Sequence, residues 1–241
     1  VPITIRLIVG RGWGQGPNHS QALQSIYAHI PGLKVVSPSN PNNAQELLVA
    51  SIFDNNPVIF IEHRWLHEQT GQVNKINKIP KIKNSHKIFN GKDLTIVSNS
   101  IMTVEAIKAC KILKENSINC DLIDLLSINP LDKKKILESV TKTGKLIVLD
   151  MDHGFISLAS EIISTISTYD VKIFKKAPIK IAMPNFPTPT GVSLTKNFYP
   201  NFTDILKSAQ KLTGRKIKIP KHYIDELKIH DIPHKNYTGP F

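Results

Sequence analysis

His19 closes the stretch of this chain best suited to chemistry. Ahead of it, Gly10, Gly12, Gly14 and Gly16 alternate with other residues, and Pro17-Asn18-His19-Ser20-Gln21 follows. Glycines so spaced let the backbone take positive φ and come close to a ligand. An apolar, β-branched run, Ile3 to Val9, precedes the loop, and a helical pattern, Gln21 to His29, follows it. In an open α/β sheet, ligands bind in the crevice beyond the carboxyl ends of the strands. A histidine where the loop turns into a helix faces the positive end of the dipole, which disfavours an imidazolium. Such a ring can donate or accept a proton. His19 is therefore the candidate catalytic residue; the alternative is a capping histidine that only supports the loop.

Other residue groups leave two readings open. Asp54-Asn55-Asn56-Pro57 is a capping turn or, through its oxygens, a site for a hard monovalent cation. His63 and His67, four apart, could share a helical face as metal ligands do, but no third ligand is in view. Asp150, Asp152 and His153 follow a buried-strand pattern, where they could line a site or cap a helix. Pro184 to Thr195 carries prolines and hydroxyls and reads as a rigid loop at a domain edge. The glycine run lacks the third glycine of a dinucleotide fingerprint in helical context. No Lys-Ser or Lys-Thr pair follows it, which excludes a P-loop.

The elements that must position these groups alternate along the chain. Strands are expected at Ile3–Val9, Lys34–Val36 and Pro57–Ile61, with a second helix over Asn42 to Phe53. From His67 to Lys92 the pattern dissolves into an extended connector. Strands then recur at Leu94–Ser98, Asp121–Asp124, Lys145–Asp150 and Ile179–Ala182. Helices are expected at Thr103–Glu115, Leu131–Thr141, Ile156–Ile166 and Phe202–Leu212. This alternation predicts an α/β protein of two domains, with mainly parallel sheets covered by helices on both faces. The domains are placed at 1–66 and 93–214, with a linker at 67–92 and a basic extension at 215–241.

Bulk properties narrow the class. No apolar run approaches the ~18 residues that span a bilayer, and no signal-peptide pattern opens the chain, so no membrane role is expected. Two cysteines, Cys110 and Cys120, make no disulfide framework, which points to a reducing cytoplasm. The net charge of +12 invites a nucleic-acid partner. Its distribution argues against one. Lys75, Lys78, Lys81, Lys83, Lys87 and Lys92 fall in the connector, and there are only four arginines in all. Val1 stands inside a strand pattern, so a chain truncated at its amino end is expected.

The succession His19-Ser20-Gln21, then His29-Ile30-Pro31-Gly32-Leu33-Lys34-Val35-Val36-Ser37-Pro38, then Asp54-Asn55-Asn56-Pro57-Val58 is specific. It resembles the beta subunit of thiamine-diphosphate-dependent 2-oxo acid dehydrogenases of the pyruvate and branched-chain type. The resemblance continues through Asp93–Ser98, Asp124–Asp132, Leu146–Asp150 and Pro187-Thr188-Pro189, from Ile3 to about Gly214. It implies a pyrimidine-binding domain followed by a transketolase-like C-terminal domain. It also implies two beta subunits paired with two alpha subunits, with thiamine diphosphate at the alpha–beta interface and magnesium on the alpha side. By the match, His19 assists proton transfer as an acyl group passes to the lipoyl arm of an acyltransferase. Ile3, Ser51, Ile52, Asp54 and Asn56 map onto a potassium site, several of them through backbone carbonyls. The cofactor-activating glutamate belongs upstream of Val1, so no residue here is assigned to bind the cofactor and the chain alone is not expected to be competent. Leu126 and Asn129 stand where the family carries arginines, which affects interface or substrate contacts there. The alternatives are one half of a transketolase-type enzyme and a non-catalytic interaction module.

Overall fold

The computed structural model describes residues 1–11, 14–82 and 84–226. Gly12 and Trp13 of the glycine loop, Lys83 of the connector and residues 227–241 of the extension lie outside the described residues. The first sheet is built from β1 (Thr4–Val9), β2 (Lys34–Val36) and β3 (Val58–His63), all parallel, in the order β1-β3-β2. Between them lie two short helices, α1 (Gly16–His19) and α2 (Gln24–Ala28), and the longer α3 (Pro41–Ile52). Asn40 caps α3 by accepting from Asn43 N at 2.9 Å, and Pro41 opens its first turn, where a missing N–H costs nothing.

The connector is not structureless to its end. Its last part forms β4 (Ser85–Phe89), an antiparallel edge strand on β6 (Cys120–Leu125). The expected linker at 67–92 missed this strand because a basic edge strand has no continuous apolar run. The second sheet runs β4-β6-β5-β8-β9, with β5 (Leu94–Ser98), β8 (Leu146–His153) and β9 (Ile179–Met183) parallel to β6. Its helices are α4 (Ser100–Glu115), α5 (Lys133–Thr143), α6 (Leu158–Tyr169), the short α7 (Val192–Thr195) and α8 (Phe202–Thr213). A last helix, α9 (Lys221–Glu226), follows in the extension. Strands β5, β6 and β8 are buried almost throughout, as strands covered on both faces must be.

One further strand was not expected. Between β6 and α5, β7 (Ser127–Asn129) crosses back and pairs antiparallel with β2, becoming the fourth strand of the first sheet. Leu126, just before it, is buried with Val36, Leu47, Val58 and Phe60, and Ser37 N donates to its carbonyl at 3.0 Å. Asn129 Nδ2 donates to the carbonyls of Ala28 (3.2 Å) and Leu33 (3.0 Å). Residues 126 and 129 therefore seat the second half of the chain on the first sheet.

Candidate active site

The carboxyl ends of the two sheets meet. Gly10 after β1, His63 at the end of β3, Met102 in the first turn of α4, Met151 in β8 and Met183 at the end of β9 border one cavity of about 30 Å³. That is room for roughly one water. The crevice beyond the first sheet is thus largely filled by the second half of the chain. The face of the glycine loop left to solvent is the one that carries Pro17, Asn18 and His19, all exposed.

The loop holds its shape through positive φ and close packing. Gly10, Gly14 and Gly16 take φ of +88°, +57° and +60°. A side chain on Gly10 would fall inside the His63 ring, and a β-carbon on Gly16 would stand 2.5 Å from Thr190 Oγ1. Thr190 belongs to the proline-rich Pro184–Thr195 segment, so that segment braces the glycine loop. Gly10 N donates to the Gln21 carbonyl at 3.1 Å and Gln21 Nε2 to the Pro17 carbonyl at 2.7 Å, closing the loop on itself.

The expected helix over Gln21 to His29 is shortened to Gln24–Ala28, and a separate turn of helix lies ahead of it. His19 ends the four-residue α1, and α2 starts only at Gln24. The imidazole therefore stands at the carboxyl end of a single helical turn, and the argument from a helix amino terminus does not apply to it. Its opportunity for proton transfer rests on exposure and on the loop that carries it. Ser20, beside it, is buried, and its hydroxyl has no partner among the described residues; the residue borders the cavity.

His63 is buried at the end of β3, and its Nδ1 accepts from Trp65 N at 3.1 Å. Burial first, and then the charges of Arg11 and Arg64, lower its pKa to about 3, so the ring is neutral with its proton on Nε2. His67 lies beyond a 3-10 turn (Arg64–Leu66), exposed, with Nε2 3.9 Å from Glu62. The pair shares no helical face, because β3 runs two residues further than expected. Among the described residues no three of His, Cys, Asp and Glu gather as metal ligands would.

Three polar contacts across the two halves were not foreseen. Arg11 lies 3.6 Å from the centroid of the Trp65 ring and 4.4 Å from that of Tyr199, held between two aromatic faces from opposite sides of the boundary. Asp124 of β6 accepts from Ser39 Oγ at 2.5 Å and from Thr103 Oγ1 at 2.8 Å, and burial raises its pKa to about 6. Asp150, also raised to about 6 by burial and by neighbouring Asp152, accepts from Gln24 Nε2 at 2.9 Å and from Ala159 N at 3.0 Å. Asp150 thus both caps α6 and fixes α2. His153 Nδ1 pairs with the Pro184 carbonyl at 2.7 Å, anchoring the bracing segment. The signal in the sequence was an acid inside an otherwise apolar run.

The five residues mapped to a cation lie at the far edge of the first sheet, beside the amino ends of its strands. Ile3 O accepts from Val58 N at 2.8 Å; Ser51 and Ile52 end α3, and Asp54 and Asn56 sit in the turn after it. The Asp54 carboxylate is engaged by Lys34 Nζ at 2.5 Å and by Asn56. Backbone carbonyls are therefore the donors that could hold a cation at this turn.

Comparison with known proteins follows the same division. The pyrimidine-binding domain model of transketolase matches residues 1–69 and the transketolase C-terminal domain model matches residues 85–205. The chain belongs to the family that carries the transketolase pyrimidine-binding and C-terminal domains. Among its relatives, the beta subunit of acetoin:2,6-dichlorophenolindophenol oxidoreductase of Cupriavidus necator is 33% identical over 210 residues, 87% of this chain and 62% of that protein. The pyruvate dehydrogenase E1 component subunit beta of Rickettsia bellii is 34% identical over 213 residues, 88% and 65% respectively. The chain thus spans a little under two thirds of the length of these relatives. A solved split-gene transketolase, described as an inactive beta4 tetramer, superposes with a TM-score of 0.71 at 20% identity. It covers 88% of this chain and 67% of its own, and supports the transketolase-type fold.

Proposed function

We propose that this chain is the beta-type subunit of a thiamine-diphosphate-dependent 2-oxo acid dehydrogenase, working with an alpha subunit in a heterotetramer. One observation carries the reading. Relatives named as pyruvate dehydrogenase E1 beta subunits align along 88% of the chain, and the pyrimidine-binding domain model covers the loop that presents His19 to solvent.

The residues present fit one wall of a shared cofactor pocket. The glycine loop offers close backbone approach and His19 an exposed imidazole. The nearby carboxylates are engaged elsewhere: Glu62 with Arg6, Glu105 with Phe202 N, and Asp150 with Gln24. A group that activates the aminopyrimidine must then come from outside these residues. When bound, thiamine diphosphate supplies the carbanion chemistry. This chain would orient the cofactor, and His19 would hold and deliver a proton during acyl transfer to lipoyl-lysine. Magnesium would belong to the alpha side, and the carbonyls of the Ser51–Asn56 turn would hold a potassium ion. Two buried free cysteines suit a cytoplasmic site of action.

A second reading has its own support. Two relatives at 33–34% identity are named as acetoin oxidoreductase beta subunits, so the substrate class extends to a hydroxyketone. The test is to co-express the full-length polypeptide with its alpha partner and measure cofactor-dependent reduction of dichlorophenolindophenol. Pyruvate, branched 2-oxo acids and acetoin would each be offered. Turnover with a 2-oxo acid supports the first reading and turnover with acetoin alone the second. No cofactor-dependent turnover with any of them overturns both.

A further inference from the structure

We propose that the basic connector and the turn between α3 and β3 form a docking groove for an acidic segment of another protein that carries an apolar anchor. The groove encloses about 540 Å³ between Phe53, Asp54 and Asn56 on one wall and Ile79, Pro80 and Lys81 on the other. That size lies within the ~300–1,000 Å³ of pockets that take up ligands or side chains. It lies at the amino edge of the first sheet, away from His19.

Two observations point to the occupant. The first is apolar. Phe53 and Ile79 are 60% and 58% exposed, and both line the same groove. The connector is fixed on both sides of Ile79, since Asn74 N donates to Asn42 Oδ1 at 2.8 Å and Ile82 packs on the Val36–Phe60 cluster. The exposed isoleucine is thus held in place, and a paired apolar surface of this kind is a binding feature.

The second is charge. From Lys75 to Lys92 the sequence has six lysines and no acid. Lys75, Lys78 and Lys81 are exposed and form no ion pair with a described residue. The one carboxylate in the groove, Asp54, is already paired with Lys34. Lys81 lines the groove and Lys78 adjoins Ile79 in sequence, so with Asp54 already paired the excess charge here is positive, which complements an acidic chain and repels a basic one. Nucleic acid fits less well: lysines offer no bidentate fork, and one aromatic ring is no stacking platform.

The test is fluorescence anisotropy on the full-length polypeptide with three labelled hexapeptides. One has two glutamates on either side of Leu-Phe, one has lysines in place of the glutamates, and one keeps the glutamates around Ser-Gly. The first should bind, and the other two about tenfold more weakly or not at all. Phe53→Ser, and separately the triple change Lys75→Glu, Lys78→Glu, Lys81→Glu, should each weaken binding about tenfold without moving the thermal melt. Equal binding of the anchorless acidic peptide, or indifference to either variant, overturns the proposal. So does displacement of the peptide by lower concentrations of oligouridylate, which would make the surface a nucleic-acid site.

Discussion

Gln24 Nε2 donates to Asp150 Oδ1 at 2.9 Å across the boundary between the two sheets, and both residues are fully buried. Asp150 has two other donors, Ala159 N at 3.0 Å and Asp152 N at 3.2 Å. Gln24→Met keeps the volume and removes one donor. The carboxylate then loses a partner it cannot replace from water, at a cost of about 1–3 kcal/mol. The loss falls on the ionised form, so it should be full at pH 8 and smaller at pH 5, below the folded pKa of about 6. Urea unfolding at the two pH values measures it; an equal loss at both would mean the bond does not act through the charge.

Gly16 faces Thr190 with φ at +60°, and its absent β-carbon would stand 2.5 Å from Thr190 Oγ1. Gly16→Ala should therefore destabilise for two separable reasons, left-handed backbone at about 1–2 kcal/mol and a steric clash. Thr190→Ala in the same chain should recover the second part and not the first. A double-mutant cycle gives their coupling, expected at about 1 kcal/mol. Zero coupling would mean the bracing segment does not hold the loop.

The central strands were legible because parallel strands covered on both faces are continuous apolar runs; Leu146–His153 extends the expected Lys145–Asp150. Lys34–Val36 matched in full. The strands Ser85–Phe89 and Ser127–Asn129 were not legible, one being a basic edge strand and the other three residues paired far away in sequence. The site was half legible. Glycine spacing located the loop, but local pattern could not show that Thr190 braces it, nor that α1 ends at His19. Arg11 between Trp65 and Tyr199 is a contact over 188 residues of sequence, which no periodicity reports.

Asp124 gives a pH dependence of defined sign. Its folded pKa is about 6, against roughly 3.9 in an unfolded chain. Between these values the folded state binds more protons, so stability from this group falls as pH rises from about 4 to about 6 and is level above. The amount is on the order of 2–3 kcal/mol. Asp124→Asn cannot titrate, and the Ser39 or Thr103 hydroxyl can turn to accept from its amide. The difference in unfolding free energy between the parent and this variant should change over that window and nowhere else. A flat difference would show that Asp124 is solvated in the folded state.

The Ser51–Asn56 turn yields a cation prediction. If carbonyls hold potassium there, the melting temperature should rise when choline chloride is replaced by potassium chloride at constant ionic strength. Ser51→Ala should keep the response, because its hydroxyl is bonded to the Leu47 carbonyl at 2.7 Å and the change leaves the main-chain carbonyl in place. Absence of any difference between the salts removes potassium from the account.

His19 is exposed on a loop fixed by its neighbours, by Gln21 to the Pro17 carbonyl and by Gly10 to the Gln21 carbonyl. Replacing it should therefore leave folding intact, and the thermal melt of His19→Ala should match the parent. On the proposed reading, the proton His19 handles belongs to transfer of the acyl group, a step that a small artificial oxidant would bypass. In the complex with the alpha subunit, lipoyl acylation should fall about 10²–10⁴-fold, the usual worth of a positioned acid or base. Dichlorophenolindophenol reduction should fall far less. His19→Gln keeps a hydrogen bond but cannot exchange a proton near neutral pH, so it should resemble alanine in acylation. If both activities fall together, His19 orients the cofactor rather than handling the proton. If neither falls, the residue only closes its helical turn.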